Sequence, residues 1–439
     1  MILQGTCKMM PGDIAVMLKL GDILAIGVIL CVIGVDVMLF VNDDSDVSQN
    51  TIIEDNTEIC GDWRYTFNYG GYSVSIVKYI GDATDVLDIP ESITYDGVIH
   101  PVFGVNGKDS AHPLVSNEQL HPGCILNLPN SLLSIGAYSF SGCSNFGGEL
   151  VIPEGVQVIG KMAFSHCDGF CGTLHIPDSV TSIGESAFTW AGGFTKLELS
   201  DNLSMIGSYA FYHCTGFVGD LVLPEKLLAV YDSTFGECKG FDGTLVLPTN
   251  LRLIGMSAFA RCHFTGELVL PASLSKLTQF AFMWCTFSGN VQLPNTLSIV
   301  ECGVFVECPY IESVSIPESV TEIKSTAFYG CTNLKTVYNA SALEITKGTE
   351  GNGCIGLYAD AIYTCHTITI EQSNPNGGVL DKQSLIAIHG SSLQCSSTQL
   401  STTVPANVCT ATPFPGFDVI WVGVDGTVSE NRVVIAQFT

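Results

Sequence analysis

LVLPEKLLAVYDSTFGEC (residues 221–238), LVLPTNLRLIGMSAFARC (245–262) and LVLPASLSKLTQFAFMWC (268–285) are three versions of one pattern. Their phenylalanines, Phe235, Phe259 and Phe282, lie 24 and 23 residues apart. Outward from these, Phe140, Phe164, Phe188 and Phe211 precede at the same spacing, and Phe305 and Phe328 follow, so the pattern occurs nine times. A fixed period of this length marks a chain of stacked supersecondary units.

Each copy carries the same physics. The opening triplet L-x-[IL] alternates inward, outward, inward, as a short strand does. Proline follows at once in eight copies (Pro224, Pro248 and Pro271 above), and Ser200 replaces it in the fourth. Proline has no N–H, so it ends the hydrogen-bonded ladder and turns the chain. A second apolar pair such as Val156 and Ile159 comes next, then an Ala-Phe element whose phenylalanine fills the core. A link such as Gly216-Phe217-x-Gly219 returns the chain to the next strand. One unit cannot bury its apolar side alone, whereas stacked units form a solenoid. Nine strands at about 4.8 Å spacing predict a parallel sheet roughly 40 Å long.

Three residues after the phenylalanine stands Cys143, Cys167, Cys214, Cys238, Cys262, Cys285, Cys308 or Cys331, with Ala191 in the third copy. The alanine says that the slot takes something small and apolar, which a free thiol also is. Stacked side chains point in parallel, which favours buried thiols over bridges, and no C-x-x-C pair supports zinc. The neighbours His166-Cys167, His213-Cys214 and Cys262-His263 read as structural, because adjacent residues on a turn point apart. Cys171 and Cys302 lie off this ladder.

The pattern L-x-I-P-x-x-[VL]-x-x-I-G-x-x-A-F-x-x-C resembles the BspA-like (Treponema pallidum-type) leucine-rich repeats over residues 125–340. The resemblance implies a leucine-rich-repeat solenoid, with short parallel strands and irregular or short helical returns. Residues 87–105 (LDIPESITYDGVIHPVFGV) look like a degenerate first coil. Residues 60–82 look like a strand-rich cap, so 59–124 is expected as a β-rich N-terminal cap with residues 106–124 inserted as a loop. Members of the family are typically surface or secreted binding proteins, several of them adhesins.

Composition limits the partners. The 439 residues hold 17 Lys+Arg against 43 Asp+Glu, a net charge of -26. Such a chain repels phosphate backbones, so no nucleic-acid partner is expected. Residues 23–41 (ILAIGVILCVIGVDVMLFV) are apolar except for Asp36. As a helix they would span about 28 Å, enough for a bilayer core. Lys8 and Lys19 precede the run, while Asp43, Asp44 and Asp46 follow it. The positive-inside rule then makes residues 1–22 cytoplasmic and everything after the run external. A signal peptide is the rival assignment, and both export the chain. Residues 42–58 read as an acidic spacer, since Asp44 and Asp46 lack the glycine and distal glutamate of a calcium loop.

After Ala340 the period stops. Residues 341–365 read as a transition, and residues 366–439 turn to Thr, Ser, Val and Ile, which favour strands. Ala411, Pro413, Gly416-Phe417, Trp421, Asp425-Gly426 and Ala436-Gln437-Phe438 resemble the small β-module of internalin B-repeat type, which implies a stalk or spacer; Cys395 and Cys409 could bridge within it.

No nucleophile elbow, zinc-protease helix or phosphate loop occurs, so no enzyme, cofactor or metal is expected. His112 and His121, with Asp109 and Glu118, suit a solvated loop better than a metal site. The chemistry that remains is binding. The middle residue of each triplet faces out: Asn127, Val151, His175, Glu198, Val222, Val246, Val269, Gln292 and Ser315. Val151 to Gln292 are the candidate partner-binding residues, for an extracellular protein or a neighbouring cell surface. Val222, Val246 and Val269 are consecutive, with Asp220, Glu225 and Glu267 beside them, an apolar strip with a polar rim. The bland alternative is that β-branched residues suit strands. A structural surface-layer or stalk component needing no ligand is the other class.

Overall fold

The computed structural model describes residues 57–68 and 70–372, and beyond them only the strands Gly27–Ile33, Asp36–Asn42, Gly378–Leu380, Ser384–Ile388, Gln394–Cys395, Gln399–Ser401, Val408–Pro413, Val419–Val422 and Arg432–Phe438. The segment 1–22 and most of the spacer 42–58 lie outside the described residues.

The repeats close into a solenoid whose every coil carries two short strand positions. The triplets form a first ladder, with Leu174 beside Leu197 and Leu221 beside Leu245, all parallel. The second apolar pairs form another, with Ile135 beside Ile159 and Ile159 beside Ile183. The returns, expected as irregular or short helical, are turns. Among the described residues the helical pieces are two three-residue 3-10 segments, Asn117–Gln119 and Asn352–Cys354. The backbone explains this. The N–H of Phe164 donates to Ala187 C=O in the next coil at 2.7 Å, and Phe211 N–H to Thr234 C=O at 2.9 Å. Donors spent between coils cannot close an i to i−4 ladder. The residues two before and two after each phenylalanine are also left-handed, as at Ser233 (φ 51°) and Glu237 (φ 63°) around Phe235. A left-handed residue stops a right-handed helix.

Two phenylalanine spines run through the core. The pattern phenylalanines stack coil on coil, Phe188 on Phe211 at 5.4 Å and Phe235 on Phe259 at 5.7 Å. The link phenylalanines form a second stack, Phe146 to Phe170 at 5.1 Å and Phe241 to Phe264 at 5.2 Å. Edge contacts join the two, as between Phe211 and Phe217 at 6.2 Å.

Both ladders part between the fourth and fifth coils; the first also lapses at residues 150–152 and 268–270, and the second between Lys276–Leu277 and Ile299–Val300. The glycine after the second strand lets coils approach: a Cβ on Gly184 would lie 2.5 Å from Lys161 N, and one on Gly207 2.5 Å from Glu185 N. Tyr231 takes that slot in the fifth coil. There the second ladder stops at Met205–Ile206 and resumes at Ala229–Val230. The first ladder stops at Phe194–Glu198 and resumes at Leu221–Val222. The spines bridge the gap, with Phe211 to Phe235 at 5.3 Å and Phe217 to Phe241 at 5.6 Å.

Strands also cap the N-terminal end. Glu58–Cys60, Trp63–Phe67 and Val74–Tyr79 are antiparallel neighbours, and Val74–Tyr79 lies parallel to Val98–Val105, which continues the second ladder. Leu87 sits beside Leu126, and Val105 beside Ile135, so residues 87–105 contribute a strand to each ladder. Residues 106–124, expected as an inserted loop, pack into the stack: Leu114, Val115 and Leu120 are buried, and Leu114 N–H donates to Ser139 C=O at 2.9 Å. At the other end, residues 341–365 form a last coil rather than a loose transition. Cys354 and Ile355 are buried, and Phe328 N–H donates to Gly353 C=O at 2.8 Å. The strand Ala361–Gln372 pairs in parallel with Thr336–Asn339 through its first part, and further on antiparallel with Ser384–Ile388 and in parallel with Arg432–Phe438. The first ladder thus passes into the C-terminal strands without a linker. Leu400 lies between Cys395 and Cys409, which puts those two backbones two strand spacings, roughly 10 Å, apart and beyond disulfide reach.

The separate N-terminal unit corrects one expectation. The apolar run is not a helix: Gly27–Ile33 and Asp36–Asn42 are antiparallel, from Gly27 opposite Asn42 to Ile33 opposite Asp36. A run rich in Val and Ile satisfies a strand as readily as a helix, and Gly34 interrupts it. Among the described residues no helix is long and apolar enough to cross a membrane.

Candidate binding face

The outward row of the first ladder places the candidate residues side by side. Val222 is the direct neighbour of Val246. Val222, Val246 and Val269 are 60%, 45% and 69% exposed, and Val151, three coils before Val222, is 67% exposed. The residues flanking each central valine in its triplet, such as Leu221 and Leu223, are buried, except Leu270 after Val269, which is half-buried. His175 and Glu198 lie between Val151 and the three valines. They pair at 3.2 Å, and Lys196 reaches Glu198 at 2.6 Å. Lys196 first, and then His175, hold the Glu198 carboxyl below its usual range. Gln292 is half-buried. Ser315 does not present itself as expected: it is fully buried, a small side chain between the longer Gln292 and Tyr338 on neighbouring rungs.

The rim is built by hydrogen bonds between coils. Asp220 Oδ1 accepts from the backbone N–H of Thr244 at 2.6 Å and from its hydroxyl at 2.8 Å. Those bonds lower the Asp220 carboxyl pKa. Glu225 Oε2 accepts the same pair from Thr249, at 3.1 and 2.9 Å. Glu267 is exposed. Asn290, the next residue along that row, is buried and accepts from Ser313 Oγ at 2.9 Å.

Two features escape the sequence pattern. The outward row continues from Ser315 to Tyr338 and Tyr363, whose rings stack at 5.8 Å. Thr336–Asn339 keeps the alternation but lacks the leucine and proline that signal the repeat. A second outward row sits at the left-handed position after each phenylalanine. His166, Trp190 and His213 stack there at 5.9 and 3.6 Å. Glu237 pairs with Arg261 at 3.1 Å, and Arg261 lies 3.9 Å over the Trp284 ring. These rings cover one another, so the row holds coils together. It also separates each histidine from the cysteine beside it, which points inward.

The thiol ladder is inert chemistry. All eight cysteines are free and buried. Each thiol donates to a carbonyl of the coil before, Cys238 Sγ to Phe211 C=O at 3.0 Å and Cys262 Sγ to Phe235 C=O at 3.1 Å. Burial pushes the Cys238 and Cys308 thiols up to about 12. Among the described residues no three metal-ligating side chains converge. His112 meets Asp109 and His121 meets Asp85, each at 2.9 Å, as exposed pairs. Cys171 is exposed, and nothing in the structure accounts for it.

Residues 125–242 and 215–335 match the family described as BspA type Leucine rich repeat region. The repeat region is thus similar to BspA-type leucine-rich repeats. Among solved structures, a leucine-rich repeat protein from Bacteroides ovatus is similar at 23% identity, over 70% of this chain and 76% of that one, with a TM-score of 0.56. That likeness shows a leucine-rich-repeat solenoid as the fold. The Treponema pallidum leucine rich repeat protein is 24% identical over 46% of this chain and 86% of its own, with a TM-score of 0.37. The pneumococcal vaccine antigen PcpA is 17% identical over 64% and 87%, with a TM-score of 0.37. No curated protein matches the chain.

Proposed function

We propose that this is a non-enzymatic binding protein of the cell exterior, which holds a protein partner on the outward row of its first ladder. Val222, Val246 and Val269 form the centre, with Val151, His175, Glu198 and Gln292 along the same row. The observation that carries this reading is three successive coils that each expose a valine between leucines that are buried or, at Leu270, half-buried. Leucine-rich repeats of bacterial surface type suggest protein–protein interaction, and exterior location rests on that likeness. Strand propensity alone gives valine a structural use, so a variant must decide. Val222→Ser, Val246→Ser and Val269→Ser together should leave the circular dichroism unchanged and abolish capture of the partner from host extracellular proteins or neighbouring cells. Undiminished capture by the folded variant overturns the reading.

A stalk or surface-layer role is the second reading, favoured by the strand Ala361–Gln372, which joins the solenoid to the C-terminal strands without a linker. Those strands we take as a spacer module of internalin B-repeat type. Concentration-dependent self-association in sedimentation, with no heterologous partner captured, would establish that role.

A further inference from the structure

The valine face says something about what would cover it, given that it binds at all as proposed above. The three valines span two rung spacings, about 10 Å, which suits a short extended segment rather than a whole domain face. The carboxylates beside them are fixed but not neutralised. Asp220 and Glu225 flank Val222 within one coil, and each spends one oxygen on a threonine of the next coil. Among the described residues no Lys or Arg pairs with Asp220, Glu225 or Glu267. Lys226, next to Glu225, turns instead to Asn202 Oδ1 at 2.6 Å.

Elsewhere, among the described residues, five of the chain's cations pair with its own acids. Lys161 meets Glu185, Lys196 meets Glu198, Lys239 and Arg261 meet Glu237, and Lys324 meets Glu301, all within 3.1 Å. The valine strip is therefore an exposed apolar strip whose margins hold uncompensated negative charge, anchored at Asp220 and Glu225. Burying those carboxylates under a neutral partner would strip their hydration without return, whereas a cationic partner supplies the missing charge. We propose that the strip takes a polypeptide segment that alternates apolar side chains with lysine or arginine, the apolar ones on Val222, Val246 and Val269 and the cations on Asp220, Glu225 and Glu267. Anionic partners are repelled by the same margins.

The test uses the full chain and three labelled hexapeptides, alternating leucine with lysine, with serine or with glutamate, followed by fluorescence anisotropy. The lysine–leucine peptide should bind, and more weakly as salt rises from about 50 to about 300 mM. Asp220→Asn, Glu225→Gln and Glu267→Gln together should weaken it at least about tenfold. The amides can still accept from Thr244 and Thr249, so folding is kept. Glu118→Gln, Glu322→Gln and Glu350→Gln, the same change in net charge on other exposed acids, should weaken it less than about twofold. The valine-to-serine triple variant should also weaken it. Equal weakening by both acid sets means generic attraction to a polyanion and overturns the proposal. Equal affinity for the serine–leucine peptide, with the acid changes silent and the valine changes not, removes the cationic requirement and leaves the binding face. Silence of the valine changes, or no binding by any peptide, removes both.

Discussion

Eight thiols share one slot of the coils, with Ala191 between Cys167 and Cys214, and each gives its hydrogen to a backbone carbonyl of the coil before. The slot was read as one for a small apolar group, and Ala191 fits that description. The structure adds a weak donor to it, which only the three-dimensional register could reveal. Thiol reagents should label these cysteines only after denaturation. Alkali gives a sharper readout. A thiol held near 12 when folded and near 9 when unfolded favours the folded chain only while it is protonated. Stability should therefore be flat below about pH 9 and fall from there towards about pH 12, as the unfolded chain releases thiol protons that the fold retains. Melting curves across that range would show it, and an unchanged midpoint up to pH 12 would refute it. Side-chain size sets a second contrast. Cys262→Ala loses one weak hydrogen bond and should cost about 1 kcal/mol. Phe235→Ala leaves a hole between Phe211 and Phe259, stacked at 5.3 and 5.7 Å, and should cost about 3–5 kcal/mol. Equal destabilisation of the two variants in denaturant titrations would contradict the assignment of the spine.

The strand of each coil was plain in the sequence because leucine, proline and phenylalanine recur with it. The returns were not. Their left-handed positions carry His166, Trp190, Glu237 and Arg261 rather than glycine, so no residue type announces them. Nor does a helix-like A-F-x-x-C run betray that its N–H groups go to the next coil. The glycine after the second strand was visible as part of the pattern, yet its purpose is contact: Gly184 would place a Cβ 2.5 Å from Lys161 N and 2.7 Å from Gly160 C. Both are backbone atoms and cannot swing aside. Gly184→Ala should force the coils apart, cost about 1–3 kcal/mol and speed hydrogen exchange at Gly184 and Gly207, whose N–H groups bond to Ile159 and Ile183. Tyr231 fills the same slot where both ladders already part. Tyr231→Phe should accordingly be mild, and an alanine at Gly184 that melts no earlier than wild type would show that the gap has another cause.

At the scale of the whole molecule, the ends of the solenoid were the least legible part. Residues 106–124 and 341–365 lack the repeat's side chains, so periodicity alone reads them as loop, but the backbone ladders run through both. A repeat stack needs such ends, because its last regular coil otherwise presents a bare apolar face to water. Here the last regular coil buries Phe328, Leu334 and Val337, and residues 341–365 cover them with Ile355 and Ala359. The fit is close: a Cβ on Gly353 would lie 2.5 Å from Lys324 C=O, and Val337 sits beside Ile362 in the ladder. A chain ended after Ala340, where the sequence period stops, should bind a hydrophobic dye and self-associate. A chain ended after Gln372 keeps the last coil and should stay monodisperse in sedimentation. Gly353→Val tests the same contact in the full-length protein, since its side chain must push the last coil off Lys324 and Ala327, and it should lower the melting temperature and raise dye binding together. If the chain ended after Ala340 is monodisperse and melts as the longer one does, residues 341–365 are an ornament on a stack already closed by Phe328, and the solenoid ends where its period does.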